Sequence, residues 1–134
     1  MNLIVCLDDR NGMMFNQRRQ SRDIELCRRV LALTAGKLYM NAYSAKIFPE
    51  SDKIIVCEDF LEKAGENDFC FCECAIETLE NVTGIIIYRW NRLYPADVHF
   101  GFDLEGEGFT LVSAEEFIGN SHTAITEQIF KKER

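Results

Sequence analysis

The sequence lacks any apolar stretch approaching the roughly 18 residues that a membrane-spanning helix needs. Its N-terminal apolar run, residues 1–7, is one strand long and is followed at once by Asp8 and Asp9. This run has neither a basic region before it nor a small-residue cleavage site after it, so we expect no signal peptide. We therefore expect a cytoplasmic protein that does not associate with membranes. In that compartment its six cysteines are reduced thiols and do not form a disulfide framework.

Cations and histidines are also scarce. Lys and Arg number 15 against 22 Asp and Glu, which gives a formal net charge of −7. This charge disfavours nucleic acid as a partner, because affinity for a polyanion begins with phosphate neutralisation. The two histidines, His99 and His122, cannot form a histidine-rich zinc centre, and we expect no metal site. One basic region, which begins at Arg18 and includes Arg22, still allows a small anionic ligand.

The chain has the length and apolar content of a single domain, residues 1–134. Strands are predicted at 2–8, 37–40, 53–57, 69–72, 84–90, 109–112 and 124–132, and helices at 22–35, 42–48, 59–64 and 75–81. Ser21 is the predicted N-cap of the first helix, and residues 9–20 are predicted to form a long loop. This alternation predicts an α/β fold with a mostly parallel sheet, helices on both faces and a C-terminal antiparallel hairpin.

Several segments resemble the dihydrofolate reductase superfamily, which includes the reductase domain of riboflavin biosynthesis. The N-terminal strand, Gly12 and Asp23 occupy the places of the family's first strand, active-site loop and catalytic acid. Residues 38–44 resemble the segment around the end of the family's second strand, and the strings at 94–100 and 109–117 resemble its C-terminal part. The resemblance covers nearly the whole chain and implies a divergent member with a dihydrofolate-reductase-like three-layer sandwich.

The resemblance does not extend to the contacts that the family makes with NADPH. Glu73-Cys74 stands where the family has Gly-Gly, and Asn41-Ala42 stands where it has Gly-Arg. Glu58-Asp59 follows the third strand, where the family binds the 2′-phosphate. Each difference removes a phosphate contact or places a carboxylate beside a phosphate. We therefore expect no ordinary NADPH binding, and the sequence indicates no other cofactor.

Asp23 is the candidate catalytic residue. In the family the matching acid binds the pterin ring and helps to deliver a proton, which requires a carboxyl group whose pKa is raised by burial. An acid at this place would also simply complement the helix dipole. Cations and aromatic side chains follow the most apolar strand, where the carboxyl ends of parallel strands line a ligand crevice. The candidate ligand-binding residues, able to pair with an anion or stack on a ring, are Arg18, Arg22, Arg89, Trp90, Arg92 and Tyr94.

Other reactive side chains are interpreted as structural. Cys70, Cys72 and Cys74 would share one face of a strand, with successive sulfur atoms about 6.5–7 Å apart. This spacing is too wide for a shared metal, so we interpret them as small apolar side chains packed in the core. His99 is placed on a partly exposed strand without a catalytic role. Ser121-His122 has no third partner that the sequence identifies for a hydrolytic triad.

Together these patterns favour a small-molecule binding or interaction module for a pterin- or nucleotide-like ligand, without ordinary reductase activity. The alternative is a functional NAD(P)H-dependent reductase that acts on a pterin- or pyrimidine-like substrate, with Asp23 as the proton source. A further alternative is a structural homo-oligomer that assembles through the terminal edge strand.

Overall fold

The structure is a computed structural model that describes residues 1–133. Its elements, in chain order, are β1 (Asn2–Leu7), β2 (Gly12–Phe15), β3 (Arg18–Arg19), α1 (Ile24–Leu33), β4 (Leu38–Met40), α2 (Ala42–Ala45), β5 (Ile54–Val56), α3 (Phe60–Lys63), β6 (Phe69–Phe71), β7 (Gly84–Arg89), β8 (Val98–His99), β9 (Phe109–Phe117) and β10 (Ile125–Lys132). The central sheet has the strand order β5-β4-β6-β1-β7-β10-β9, and a small second sheet has the order β3-β2-β8.

The pairing in the central sheet is parallel from β5 to β7. The strand β1 lies between β6 and β7 and is parallel to both, and β4 is parallel to β5 and β6. The strand β10 is antiparallel to β7 and to β9. The predicted mostly parallel sheet with a C-terminal antiparallel hairpin is therefore confirmed.

The core lies on both faces of this sheet. Successive side chains of a strand point to opposite faces, so Leu3 and Val5 of β1 pack in one apolar cluster and Ile4 packs in the other. The helix α1 covers the Ile4 face with its buried stripe, which includes Leu26 and Val30. On the opposite face, α3 and the segment 75–82 contribute buried residues. The sheet is thus enclosed by a layer on each side.

The helix predicted at 75–81 is wrong, because residues 75–79 have no regular structure and a turn follows at 80–81. The hydroxyl of Thr78 accepts a hydrogen bond of 3.1 Å from the N–H of Glu80, a local contact that competes with helix formation. Leu79 and Val82 are nevertheless buried in the core. The apolar spacing therefore predicted burial correctly and secondary structure incorrectly.

The prediction of a loop at 9–20 is also wrong, since β2 and β3 form a hairpin there. Its two-residue turn is Asn16-Gln17, with φ angles of 55° and 62°. Two successive positive φ angles are the backbone geometry of the turn that best matches twisted antiparallel strands, and asparagine tolerates that geometry. The strand β2 also pairs with β8, which places the exposed His99 on a short strand as predicted.

The N-cap of α1 is Asp23, and the prediction of Ser21 is wrong. The Oδ1 atom of Asp23 accepts hydrogen bonds from the N–H groups of Glu25 and Leu26, at 2.9 and 3.3 Å. A carboxylate next to the first helical residue satisfies two free N–H groups. The helix consequently begins at Ile24, two residues later than predicted.

At the far edge of the sheet, the residues of β9 from 110 to 116 are all exposed. Within residues 1–133, no helix has both the length and the apolar character needed to cross a membrane. The single domain expected for residues 1–134 stays a prediction, and Arg134 lies outside the described residues.

Candidate functional site

Asp23 joins the start of α1 to the loop between β9 and β10. Besides its contacts with α1, Oδ1 accepts a hydrogen bond of 2.9 Å from the N–H of Asn120. Oδ2 accepts hydrogen bonds from the N–H of Ser121 at 2.8 Å and from the Ser121 hydroxyl at 3.2 Å. Only 3% of Asp23 is exposed. Both oxygens of this buried carboxylate are therefore occupied by donors.

This environment favours the ionised form of Asp23. Burial alone would raise the pKa of this carboxyl group. Hydrogen bonds from the Asn120 N–H, from His122 and from the Ser121 N–H outweigh burial and hold the pKa well below its usual value. A proton-donating acid requires a raised pKa, whereas these contacts lower the pKa of Asp23.

His122 is the second member of this site. Its Nδ1 atom lies 3.0 Å from Asp23 Oδ2 and 3.1 Å from the hydroxyl oxygen of Ser121. Its Nε2 atom lies 2.9 Å from the hydroxyl oxygen of Ser21 and 3.3 Å from that of Tyr94. Its ring stacks on Trp90, with centroids 4.5 Å apart and planes inclined by 27°. His122 is 5% exposed.

Gly119 allows the loop to approach Asp23 this closely. A Cβ atom at Gly119 would lie 2.5 Å from Asp23 Oδ2 and 2.9 Å from Ile125 Cδ1, which is too close for either atom. The Gly119 N–H donates a hydrogen bond of 2.9 Å to the carbonyl of His122, which closes the loop. The loop conformation and the Asp23–His122 contact therefore depend on each other.

A cavity of about 680 Å³ opens beside this site, between the β2–β3 hairpin and the segment around Tyr94. Its walls include Arg18, Gln20 and Tyr94, together with Phe15, whose side chain is large and 46% exposed. Tyr94 both lines the cavity and contacts His122, so this residue connects the cavity to the buried histidine. The cavity combines a cation with two aromatic rings at its wall.

The structure brings some of the predicted site residues together and separates others. Asp23, Trp90 and Tyr94 meet around His122, and Arg18 lines the same cavity as Tyr94. Arg22 and Arg92 are exposed. Their assignment as ligand-binding residues stays a prediction.

Arg89 is engaged within the protein. Its Nε atom donates to Gln128 at 3.0 Å and its Nη1 atom donates to the side chain of Asn11 at 2.6 Å. Its half-buried position lowers the pKa of its guanidinium group by desolvation. These contacts connect β7 to β10 and to the turn after β1, which leaves fewer donors for a ligand than predicted.

Two carboxylates occupy places where the resemblance would put NADPH phosphates. Glu58 accepts a hydrogen bond of 3.0 Å from the N–H of Ala42, at the start of α2. Glu73, just after β6, accepts two hydrogen bonds from Arg19, at 2.7 and 3.0 Å, and one of 2.7 Å from the Ser44 hydroxyl. A phosphate at either place would meet a negative charge and would have to displace these contacts. The residues present do not fit NADPH.

The cysteine string departs from the predicted geometry. Cys72 and Cys74 lie 3.4 Å apart at their Sγ atoms, because the chain leaves the sheet after β6 and no longer extends as a strand. Cys70 and Cys72 are buried, and Cys74 is half-buried. Within the described residues 1–133, no group of three or more His, Cys, Asp or Glu side chains is arranged to hold a metal ion.

Sequence reasoning did not identify Ser21 and His122 as partners of Asp23. Ser21 and Asp23 are near neighbours, but His122 lies 99 positions after Asp23. The contact depends on the position of β10 beside β7, which brings the preceding loop to the start of α1. No local sequence pattern indicates what that loop contacts.

Comparison with solved structures identifies the fold. The structure is similar to that of the dihydrofolate reductase from Enterococcus faecalis complexed with NADP(H) and RAB-propyl. The TM-score is 0.65 at 7% sequence identity, and the similarity covers 99% of this chain and 96% of that chain. No protein-family model and no curated protein sequence matches the chain. The predicted dihydrofolate-reductase-like α/β fold is confirmed, and at this identity the similarity shows the fold alone.

Proposed function

We propose that this protein is a divergent dihydrofolate-reductase-like module that binds a small molecule without using NADPH and without ordinary reductase activity. The observation that carries this proposal is the pair of carboxylates at the expected phosphate positions. Glu58 takes the free N–H of Ala42, and Glu73 is held by Arg19 and Ser44. Because these carboxylates are already hydrogen-bonded, a dinucleotide would have to break existing contacts and overcome repulsion.

The environment of Asp23 supports this proposal over the reductase alternative. A reductase that uses Asp23 as its proton source needs this carboxyl group protonated near neutral pH. Donors surround both oxygens of Asp23, and these hydrogen bonds lower the pKa of the group. An ionised carboxylate has no proton to give. Asp23 instead orients His122.

The proposed ligand site is the cavity beside Tyr94. Arg18 offers a guanidinium group, while Phe15 and Tyr94 offer ring faces or edges. Arginine pairs well with carboxylates and phosphates, and aromatic rings stack on planar ligands. This chemistry suits a small planar anion, of which folates and single nucleotides are examples. The basic residue and the rings belong to the small hairpin and the loop facing it, outside the parallel sheet.

A thermal-shift series tests this function with NADPH, NADH, FMN, folate and adenosine monophosphate as separate ligands. A ligand at about 100 times its dissociation constant adds nearly 3 kcal/mol to the free energy of unfolding. We expect a shift with folate, FMN or the mononucleotide and none with NADPH or NADH. The shift should fall in Arg18→Ala and persist in Arg28→Ala, which removes an exposed arginine of α1. A shift with NADPH, or with none of the five ligands, would count against the proposal.

A structural homo-oligomer is the second candidate, and the edge strand β9 favours it. Residues 110–116 of β9 are exposed, including Leu111 and Val112 at 47% and 56%. The outer side of β9 has no neighbouring strand within the described residues. Sedimentation equilibrium tests this alternative. It predicts a dimer that Val112→Lys dissociates, whereas a monomer at all concentrations would reject it.

A further inference from the structure

Ser21, His122 and Asp23 form one continuous chain of hydrogen bonds. Asp23 Oδ2 lies 3.0 Å from His122 Nδ1, and His122 Nε2 lies 2.9 Å from Ser21 Oγ. The carboxylate and the imidazole are buried, whereas the serine is partly exposed. The order of groups is acid, imidazole, hydroxyl, from the interior toward the surface. Side chains in this order activate a serine oxygen as a nucleophile in unrelated folds.

The contacts of Asp23 fix which nitrogen of His122 carries the proton. The carboxylate is ionised, so toward the imidazole it can act only as an acceptor. In the neutral imidazole, His122 Nδ1 then donates to Asp23, and the lone pair of Nε2 is directed toward the hydroxyl groups of Ser21 and Tyr94. Stacking on Trp90 holds the ring plane in this orientation. The imidazole therefore has the tautomer and the direction that a general base for Ser21 requires.

Two other hydroxyl groups contact the histidine. The Ser121 hydroxyl lies on the Nδ1 side and donates to Arg22 O or to Asp23. The Tyr94 hydroxyl lies 3.3 Å from Nε2, farther than the Ser21 hydroxyl. Ser21 thus makes the shorter contact with the basic nitrogen. Tyr94 remains beside it as a donor.

We propose that Ser21 is a nucleophile activated by His122, and that the protein hydrolyses small carboxylic esters that carry an anionic group. Gln20, the residue before Ser21, and Tyr94, which contacts His122, both line the 680 Å³ cavity, so the cavity borders the segment that carries Ser21. Arg18 at the cavity wall would pair with the anionic group. The proposed substrate class rests on the ligand cavity of the proposed function. The assignment of Ser21 as the nucleophile rests only on the hydrogen-bonded chain of Asp23, His122 and Ser21.

The proposed hydrolysis proceeds in two steps, acylation of Ser21 and deacylation by water. Ser21 Oγ attacks the ester carbonyl carbon while its proton passes to His122 Nε2. The bond to the alkoxy group then breaks, and His122 returns the proton to the leaving alcohol. Water next attacks the acyl-serine with His122 as base, releasing the carboxylic acid and restoring the Ser21 hydroxyl. Water is the second reactant, and no atom changes its oxidation state.

A fluorophosphonate probe tests the nucleophile without requiring the natural substrate. Attack by Ser21 Oγ on phosphorus expels fluoride and leaves a stable phosphonyl-serine, which peptide mass spectrometry locates. We expect an adduct at Ser21 that is absent in Ser21→Ala and unchanged in Ser113→Ala, which removes an exposed serine of β9. In His122→Ala the labelling rate should fall by about 100-fold or more, the usual contribution of a general base. No adduct at Ser21 in the wild-type protein, or an equal rate without His122, would overturn the proposal.

Asp23 acts as a positioning residue, and Asp23→Asn tests that role. An asparagine amide that donates to Nδ1 would place the imidazole proton on Nε2, which blocks transfer from Ser21. We expect Asp23→Asn to be labelled more slowly than the wild-type protein near neutral pH. The difference between the two labelling rates should narrow at strongly alkaline pH, where hydroxide replaces the imidazole as base. A purely structural role would lower the rate equally at every pH and would contradict the assignment. Thermal melts of each variant establish that it is folded, and the wild-type labelling decides the proposal if a variant unfolds.

Hydrolysis of p-nitrophenyl acetate and of the mono-p-nitrophenyl ester of succinic acid tests the substrate class. We expect the anionic succinyl ester to react faster in the wild-type protein, and this preference to disappear in Arg18→Ala but to persist in Arg28→Ala. Equal rates for the two esters, with Ser21 still labelled, would reject the anionic substrate and the cavity in the proposed function. Absence of labelling at Ser21 would reject the nucleophile and leave the thermal-shift test of ligand binding unaffected.

Discussion

The carboxylate of Asp23 caps α1, anchors the loop before β10 and orients His122, so its loss should affect stability as well as chemistry. Asp23→Asn keeps the shape but replaces an acceptor by a donor opposite the Ser121 N–H or the Asn120 N–H. Leaving such a buried group unpaired costs about 1–3 kcal/mol. We expect urea unfolding near neutral pH to report a loss of this size. Asp52→Asn, at an exposed position, should change stability by less than about 0.5 kcal/mol.

The stabilising effect of Asp23 should depend on pH in a defined direction. Its pKa is lowered in the folded protein, so as the pH falls the unfolded chain binds this proton first. The contribution of ionised Asp23 to the free energy of unfolding is complete well above the unfolded-state pKa of about 3.9. It is lost as the pH falls toward the lower folded-state pKa. The stability difference between the wild-type protein and Asp23→Asn should therefore begin to narrow below about pH 5 and keep narrowing as the pH falls toward the folded-state pKa of Asp23. A difference that widens on acidification would contradict this account of the site.

Cys74 should be the most reactive cysteine. A hydrogen bond from Cys72 lowers the pKa of the Cys74 thiol to about 7, whereas burial raises the pKa values of Cys27 and Cys70 to about 12. The thiolate is the form that reacts with alkylating agents. A brief pulse of iodoacetamide at neutral pH should modify Cys74 first, and Cys72→Ala should slow this reaction by removing the donor. Modification of Cys57 before Cys74, or no effect of Cys72→Ala, would contradict the assignment.

At the scale of the secondary-structure elements, the β2–β3 hairpin depends on a single small residue, Gly12. A Cβ atom at Gly12 would lie 2.6 Å from Asp8 Oδ2, 2.6 Å from Gln20 Nε2 and 2.7 Å from Ala96 Cβ. Asp8 is buried and accepts a hydrogen bond of 2.7 Å from the Gly12 N–H, so it cannot move away freely. Gly12→Ala should lower the free energy of unfolding by about 1–3 kcal/mol.

A matched control for Gly12→Ala exists in the same protein. A Cβ atom at Gly101 would have no neighbouring atom within 4 Å, so Gly101→Ala should have little effect. Chemical denaturation measures the free energy of unfolding of both variants. Hydrogen exchange of the amides in β2 and β3 shows whether the loss of stability lies in the hairpin. Equal stability of the two variants would show that the hairpin tolerates the added methyl group.

Secondary structure was predictable where periodicity and burial agree. Residues 84–88 carry no charged side chain and form the fully buried part of β7, as expected for a central strand covered on both faces. The helix predicted at 75–81 failed because apolar spacing alone cannot distinguish a helix from an irregular segment that packs on a core. The hairpin at Gly12–Phe15 and Arg18–Arg19 was missed because its turn uses Asn16-Gln17 and lacks the glycine that marks most turns of this type.

The site was predictable only in part, for a different reason. Asp23, Trp90 and Tyr94 follow from the order of the elements and from the resemblance. His122 does not, because its contact with Asp23 is created by tertiary structure between segments 99 positions apart. The state of Asp23 could not be predicted either. Its ionisation depends on donors from Asn120 and Ser121 that local sequence does not place.

The whole molecule has a dihydrofolate-reductase-like fold, but acidic groups at the carboxyl ends of its strands disfavour a bound dinucleotide. The strand order and the similarity to a dihydrofolate reductase show the fold. The carboxyl ends of β5 and β6 are followed by acidic groups held in internal contacts, Glu58 and Glu73. A net charge of −7 adds to the repulsion of a dinucleotide that carries several phosphate charges.

The proposal that this fold binds its ligands without NADPH is tested by calorimetric titration of the wild-type protein with NADPH. We predict no saturable heat of binding at concentrations up to about 1 mM, which limits the binding free energy to weaker than about −4 kcal/mol. Saturable binding of one NADPH per chain with a dissociation constant near 1 μM, about −8 kcal/mol, would contradict the claim.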